Sequence, residues 1–285
     1  MAARLREMPF APASETWLQE LADTGRSDNT RDCYARDLRD VAKAIGRRDT
    51  RCLLLLDQGA VEAIASKWRD EGASEATIGR RFSALRGFAI HLVRRHGMDL
   101  SALFSAEYPP TPKGKRPPVA ESEIQCLLSG AQHDGWRDLR DSAMFAVQAG
   151  SGLTPAETVK LNVGHVDLVD RLVRVVDTHL TPRIVGLPDW SRDLIGEYLG
   201  ALPFSLAETE PLFVTSRRSR LNVRSAQVSF RRRRMRLGVS EEATLMGLRH
   251  ASAARLANDG GSPDLLASAL GVLRSTAIRY FDGKA

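Results

Sequence analysis

The sequence has little cysteine, little lysine and no long hydrophobic run. Its three cysteines, Cys33, Cys52 and Cys126, show neither a pairing pattern nor zinc-site spacing, which argues against a disulfide framework and fits a reducing compartment. No apolar run approaches the ~18 residues that a membrane span needs. The first residues, Met1 to Arg6, lack the apolar region of a secretory signal. We therefore expect a cytoplasmic protein with no membrane partner, no metal and no cofactor.

The rest of the composition is that of a folded protein rich in arginine. Hydrophobic residues make up 43% and charged residues 27% of the 285 positions, which excludes wholesale disorder. At about 100–200 residues per domain, this length predicts two domains or one large domain. Cations outnumber acids by 41 to 35, and only six of the cations are lysines. Arginine makes planar, bidentate contacts with phosphate, although a GC-rich genome can also produce a high arginine content.

Residues 14–104 show only helical periodicity, and we predict a small helical bundle there. Ser14 is expected to cap its first helix. Further helices are predicted from apolar stripes at three- and four-residue spacing, two of which end at Gly46 and Gly72. The longest predicted helix opens at Ser74. Its polar face carries Arg80, Arg81, Arg86, Arg94 and Arg95.

A proline-rich stretch follows, from Tyr108 to Pro118. Five prolines surround the basic run Lys113-Gly114-Lys115-Arg116. Prolines at this density exclude a helix and predict an extended, semi-rigid linker. We therefore place the domain boundary here, with a helical domain over residues 1–107 and a second domain over 119–285. The cations of the linker suggest that it follows a polyanion, although solubility alone would also explain them.

The second domain is predicted to mix helices with a β-hairpin. Two helices are predicted within residues 121–149, and the second ends at Gly150-Ser151-Gly152. Alternating residues then predict a strand over Asp170–Val176 and its hairpin partner over Arg183–Pro188. Helices are expected to resume at about Trp190 and to continue to the C-terminus. The predicted fold class is thus mainly α with a small β-hairpin or sheet, in two domains.

The stretch from Pro211 to Ser240 contains no aspartate or glutamate but nine arginines. A solvated helix face normally mixes both signs, and cations without counter-charges repel one another unless a polyanion relieves the repulsion. A nucleic-acid backbone is such a polyanion. Because Phe213 and Phe230 are the only aromatic residues of the stretch, we expect duplex backbone contacts rather than stacking on single-stranded bases. The nine are Arg217, Arg218, Arg220, Arg224, Arg231, Arg232, Arg233, Arg234 and Arg236.

Four blocks of the second domain resemble motifs of the tyrosine recombinases, or phage integrases. Ala149–Leu161 is similar to the block that holds a first phosphate-clamping arginine, and Leu172–Pro188 is similar to the β-hairpin that follows it. Leu248-Arg249-His250 resembles the end of the family's H-x-L-R-H motif, and Leu270–Tyr280 resembles the segment that ends in the nucleophile. The helical N-terminal half resembles the core-binding, SAM-like domain. The resemblance therefore covers nearly the whole chain and implies a two-domain recombinase architecture.

In that family a tyrosine hydroxyl attacks a DNA phosphodiester and forms a covalent phosphotyrosine. The resemblance implies that Tyr280 matches the nucleophile, that Arg249 matches the second of two arginines that clamp the phosphate, and that His250 is the motif's final histidine. Four of six catalytic positions carry residues that lack the required chemistry. They are Thr154, Thr181 or a residue near it, Met246 and Val272.

Three hypotheses are consistent with these observations. The first is a duplex-DNA-binding protein with a defective active site, associated with the bacterial nucleoid. It would regulate or assist DNA recombination, integration or maintenance, as a homo-oligomer on DNA or beside an active recombinase. The second is an active, divergent recombinase that uses Tyr280 and Arg249 with His179, Arg183 or His250 as substitutes. The third is a helical scaffold whose arginines reflect genome composition, against which the acid-free stretch argues. The residues expected to contact DNA are Arg80, Arg81, Arg86, Lys113, Lys115, Arg116, Arg217, Arg218, Arg220, Arg231 and Arg232.

Overall fold

The computed structural model of the chain describes residues 8–26, 28–46, 49–110, 117–129, 135–176 and 182–281. The chain divides into two units, Met1–Gly114 and Lys115–Ala285, and each has its own hydrophobic core. The division falls inside the stretch that was predicted to be a linker, whose Lys113, Lys115 and Arg116 lie outside the described residues. Within the described residues, no helix is long and apolar enough to cross a membrane.

The first unit is a helical bundle, as its apolar stripes predict. The Ser74 side chain accepts a hydrogen bond from the amide of Thr77 and so caps the longest helix. Gly46 follows the second helix with a φ of 72°, a left-handed conformation that glycine adopts without strain. The helices are α1 (Phe10–Asp23), α2 (Asp28–Ile45), α3 (Gln58–Asp70), α4 (Glu75–His96) and α5 (Ser101–Ser105), with a 3-10 helix over Thr50–Leu55.

The predicted cap at Ser14 is wrong. α1 begins at Phe10, directly after Pro9, and Ser14 lies inside the helix, where its hydroxyl donates to the Ala11 carbonyl at 2.8 Å. Pro12 fits in the first turn because amides there have no helical acceptor to lose. A serine whose hydroxyl donates to a carbonyl of the preceding turn therefore does not mark the start of a helix.

The second unit combines eight described helices with a small antiparallel sheet. Its helices are α6 (Glu121–Ser129), α7 (Trp136–Ser151), α8 (Pro155–Lys160), α9 (Asp189–Ala201), α10 (Val223–Arg236), α11 (Leu245–Asn258), α12 (Pro263–Leu270) and α13 (Arg274–Ala277). The strands β1 (Val166–Asp167), β2 (Leu172–Val175) and β3 (Arg183–Gly186) lie in the order β1-β2-β3. The predicted hairpin is confirmed, with Val173 opposite Val185 and both side chains buried. β1 was not predicted, because two residues are too few to show a periodicity.

The core of the second unit forms around α7, which packs against α9 and α11. Phe145 of α7 meets Phe230 of α10 edge to face, with ring centroids 5.1 Å apart. Tyr198 of α9 stacks on Phe213 and donates its hydroxyl to the Leu212 carbonyl at 3.0 Å. These contacts fix α10 and α11, which carry most of the residues that the motifs single out, on one rigid core.

The prediction that helices continue from α9 to the C-terminus is wrong for residues 202–222. This stretch is non-helical, and Val214 pairs with Arg220 in an isolated β-bridge around a tight turn. Pro203 and Pro211 cannot donate helical hydrogen bonds, and the apolar residues between Pro211 and the turn are buried in an extended conformation. Three of the nine arginines of the acid-free stretch therefore lie on or beside this turn rather than inside a long helix.

Candidate active site and nucleic-acid interface

Thr154, at the position of the first clamping arginine, forms the N-cap of α8. Its hydroxyl oxygen accepts a hydrogen bond from the amide of Glu157 at 3.1 Å, and the Glu157 carboxylate accepts one from the amide of Thr154 at 2.7 Å. This reciprocal pair is a capping box. The residue thus serves the helix and brings no positive charge to the site.

Glu157 also contacts two buried arginines. Its Oε1 accepts from Nη1 of Arg183 at 2.7 Å, and its Oε2 accepts from Nη1 of Arg249 at 3.3 Å. All three side chains are at most 7% exposed. Burial alone would raise the pKa of Glu157, but the hydrogen bonds from Arg183 and from Thr154, with the charge of Arg249, hold that pKa below its ordinary value. The carboxylate therefore stays ionised between the two guanidiniums.

Arg249, which the motif resemblance aligns with the second clamping arginine, makes three hydrogen bonds within the protein, one of them to Glu157. Nη1 donates to the Gly152 carbonyl at 2.8 Å, and Nη2 donates to the Leu270 carbonyl at 2.7 Å. Burial lowers the pKa of Arg249, while the charge of Glu157 opposes that shift. A clamp for a phosphate needs guanidinium N–H groups directed at the phosphate oxygens. Here both terminal nitrogens face backbone carbonyls.

Tyr280 lies in the 3-10 turn Ile278–Tyr280 and pairs with His250 of α11. The tyrosine hydroxyl lies 2.6 Å from Nδ1 of the histidine. Burial raises the pKa of Tyr280, and the nearby charge of Arg249 opposes the shift. Burial, and then Arg249, lowers the pKa of His250, so the imidazole is favoured in its neutral form. With its proton on Nε2, that ring accepts a hydrogen bond from the hydroxyl at Nδ1, which is the geometry of a base beside a nucleophile.

Two further motif positions that the structure describes, Met246 and Val272, bring no ionisable side chain to this pair. Met246 has 37% of its surface exposed on α11, and Val272 packs in a small apolar cluster with Tyr280 and Phe281. His179 and Thr181 lie outside the described residues. Sequence reasoning gave Glu157 no role, although the Thr-x-x-Glu spacing of a capping box was there to be read. Within the described residues, no group of three His, Cys, Asp or Glu side chains could hold a metal ion.

The nine arginines of the acid-free stretch fall into two groups. Arg233 is 3% exposed and bonds to Asp138 and Ser142, and Arg220 donates to the carbonyls of Val159 and Leu161. Arg218, Arg234 and Arg236 also contact the protein. The other four are exposed, and no described residue pairs with them. They are Arg217, Arg224, Arg231 and Arg232.

The exposed face of α10 combines three of these free arginines with apolar side chains. Val228 and Met235 have 51% and 67% of their surfaces exposed on the same helix. Arg231 and Arg232 lie between them in sequence, and Arg224 is one helical turn before Val228. The result is a cationic helix face, free of acids, that also offers apolar contacts.

The three arginines of the first unit that were expected to bind DNA are engaged within that unit. Arg80 donates to Asp37 at 2.7 Å, and Arg81 donates to Asp40 and lies over the Trp68 ring. Arg86 lies 5.9 Å from the ring centroids of both Phe104 and Tyr108. The acidic face of α2 therefore neutralises part of the basic face of α4.

Comparison with known proteins gives matches along both units. Residues 119–282 match the model of the phage integrase family, and residues 15–96 match that of the phage integrase N-terminal SAM-like domain. Tyrosine recombinase XerC from Methylobacterium sp. (strain 4-46) is 31% identical over 270 residues, which cover 90% of this chain and 82% of the relative. Tyrosine recombinase XerC from Agrobacterium fabrum is 27% identical over 281 residues, which cover 94% and 88%.

Solved structures share the fold at lower identity. A lambda integrase dimer bound to a COC' core site has a TM-score of 0.72 at 17% identity, covering 98% of this chain and 97% of that one. The Tn1549 transposon integrase in complex with transposon right end DNA has a TM-score of 0.70 at 17% identity, covering 96% and 95%. The two-domain, mainly helical architecture predicted from the sequence is thus confirmed.

Proposed function

The chain belongs to the phage integrase family, and we propose that it binds duplex DNA without transferring strands. The observation that carries this proposal is the exposed face of α10, where Arg224, Arg231 and Arg232 have no described protein partner. Unpaired cations on one helix face are stabilised by phosphates, and a single helix fits the major groove of B-DNA. Val228 and Met235 add apolar side chains that suit thymine methyl groups.

Loss of catalysis is supported by the residues at the two positions where the family has phosphate-clamping arginines. The first arginine is replaced by Thr154, which caps α8, and both terminal nitrogens of Arg249 donate to backbone carbonyls. Removing one transition-state donor typically lowers the rate by about 10²–10³. Burial also raises the pKa of Tyr280, which disfavours the phenolate form that would attack a phosphate. A protein of this kind would regulate or assist recombination, integration or DNA maintenance, and its nucleoid location stays a prediction.

The DNA-binding proposal is tested by duplex affinity. We expect the double variant Arg231→Gln/Arg232→Gln to bind a duplex at least about tenfold more weakly than the unmodified chain, since two cations no longer face the phosphates. The matched control is Arg192→Gln, which removes a partly exposed cation of α9 that Asp189 and Asp193 already neutralise. Fluorescence anisotropy with a labelled duplex gives both affinities. Equal affinity for all three proteins would contradict the proposal.

A second function, an active divergent recombinase, is favoured by one observation. The Tyr280 hydroxyl lies 2.6 Å from Nδ1 of His250, so a base is already in place to take the proton when the phenol attacks a phosphate. In that reaction the tyrosine oxygen forms a bond to phosphorus, and the 5′ oxygen of the broken strand leaves and takes a proton. The free 5′ hydroxyl later reverses the attack and rejoins a strand.

Covalent trapping decides between the two functions. The protein is incubated with a pool of random duplexes that carry nicks, so that a cleaved end can diffuse away, and SDS-resistant adducts are analysed by mass spectrometry. We expect no phosphotyrosine at Tyr280 and unchanged duplex affinity for Tyr280→Phe. An adduct on Tyr280 that disappears in the Phe variant would establish the recombinase instead.

A further inference from the structure

The C-terminal end of α12 is held by two buried arginines from different elements. Arg183, the first residue of β3, donates from Nε to the Ala269 carbonyl at 2.9 Å. Arg249 of α11 donates from Nη2 to the Leu270 carbonyl at 2.7 Å. The last carbonyls of a helix have no donor within the helix and form the negative end of its dipole. The two guanidiniums therefore satisfy these carbonyls and fix where the helix ends.

Arg183 is fixed on its other side by Glu157 and by a close glycine. Nη1 donates to Glu157 Oε1 at 2.7 Å, and the side chain is only 7% exposed. Gly271 directly follows α12 with a φ of 63°, and a Cβ there would lie 2.8 Å from that same Nη1. Only glycine leaves room for the guanidinium between α12 and the carboxylate. Arg183 thus connects the hairpin, α8 and the end of α12.

The chain passes from this end of α12 into the segment that carries Tyr280. Gly271 is followed by α13, which packs on α12, and then by the 3-10 turn that ends at Tyr280. The hydroxyl meets His250 of α11 at 2.6 Å. The position of the end of α12 therefore determines the position of the segment that carries Tyr280. We infer that Arg183 is a positioning residue for Tyr280, which it places opposite His250 by tying the end of α12 to Glu157.

This assignment does not depend on DNA binding or on strand transfer, and it is tested on the full chain without DNA. The chain contains four tyrosines, so labelling with 3-fluorotyrosine gives a simple ¹⁹F NMR spectrum in which Tyr280→Phe identifies the Tyr280 signal. Tyr198 lies in the same unit, fully buried, with its hydroxyl on the Leu212 carbonyl. Its signal reports whether the core of the unit is intact.

The decisive measurement is a double-mutant cycle on the ¹⁹F shift of Tyr280. We expect Arg183→Gln to move this signal in the same direction as His250→Ala, with the Tyr198 signal unchanged. The double variant should then move it little beyond His250→Ala, because both changes remove the same contact. Arg183→Lys keeps a positive charge beside Glu157 but lacks the forked guanidinium group. It should therefore give a smaller shift than Arg183→Gln. The matched control is Arg174→Gln, on the exposed face of β2, which should leave the signal in place.

Two results would overturn the assignment. One is an unmoved Tyr280 signal in Arg183→Gln, or shifts that add in the double variant, since either would show that the arginine and the histidine act separately. The other is a joint change of the Tyr198 and Tyr280 signals. If both Arg183 variants fail to fold, this counts as the same result, because the arginine then supports the whole unit.

Discussion

At the scale of single residues, Glu157 decides how the buried charges of the site are balanced. One carboxylate contacts Arg183 and Arg249 and also caps α8 through the amide of Thr154. Two guanidiniums and one carboxylate leave one excess positive charge in a site that water hardly reaches. Without the carboxylate, two like charges would be buried together, which is far more costly than the absence of any single hydrogen bond.

We expect Glu157→Gln to lower the free energy of unfolding by about 3–5 kcal/mol, as for other buried ion pairs from which one partner is removed. Urea denaturation at pH 7 measures this decrease. The control is Glu121→Gln, because Glu121 is itself 60% exposed in its pair with Arg255, and this change should alter stability by less than about 1 kcal/mol. Because the pKa of Glu157 lies below its ordinary value, its contribution is present above about pH 4.3 and fades at lower pH. Similar decreases for both variants would contradict this account.

His250 also makes the stability of the site depend on pH. Here the group is a base that is favoured in its neutral form, whereas Glu157 is an acid that stays ionised. Burial and Arg249 hold the pKa of this histidine below its ordinary value, so the unfolded chain takes up the proton first as pH falls. Stability therefore decreases as pH drops below about 6.5, until the folded pKa is reached. We expect the Tm of the unmodified chain to fall more steeply between pH 7 and pH 5 than that of His250→Phe. Parallel Tm curves from differential scanning calorimetry would show that the histidine is not held neutral.

At the scale of elements, neighbouring arginines of α10 differ in burial and therefore in role. Arg231 and Arg232 are exposed, whereas Arg233 turns into the core and bonds to Ser142, Asp138 and the Leu127 carbonyl. Burial lowers the pKa of Arg233, with the acids of α7 opposing the shift. The run of four arginines thus contains one buried cation, a solvent-facing pair, and Arg234, which is half-buried and donates to the Ala243 carbonyl.

This division predicts a separation of stability from DNA binding. Arg233→Ala should destabilise the chain by about 3 kcal/mol or more, since Asp138 and two other buried acceptors would be left without their donor. Arg231→Ala, two positions away, should leave stability within about 0.5 kcal/mol and weaken duplex binding. Thermal unfolding and anisotropy on the two variants test this. The reverse pattern would mean that α10 is rotated from the orientation described.

The helices and the hairpin could be predicted from the sequence, but only part of the candidate site could. Apolar stripes and caps report local periodicity, so α3, α4 and β2 were predicted close to their observed bounds. Which arginine of a run faces an acid depends on a partner distant in the chain. Arg80 pairs with Asp37 and Arg233 with Asp138, and no spacing in the sequence announces either pair. Tyr280, Arg249 and His250 were found through motifs and do lie together.

At the scale of the whole molecule, the net charge is +6, and the cations that lack a protein partner are unevenly distributed along the chain. In the first unit, several basic side chains of α4 are neutralised by acids of α1 and α2. In the second unit, part of the acid-free stretch is bonded to carbonyls, and Arg217, Arg224, Arg231 and Arg232 remain exposed without described partners. Cations that the fold leaves unpaired are the ones available to a polyanion.

The most direct test of this account is the salt dependence of duplex binding. The logarithm of the association constant is measured against the logarithm of salt concentration for the unmodified chain and for Arg231→Gln/Arg232→Gln. If the helix face binds phosphates, the unmodified chain gives a steep negative slope, and the double variant lowers its magnitude by about 0.9 for each phosphate that is no longer neutralised. A flat line for the unmodified chain, or the same slope for both proteins, would contradict the account.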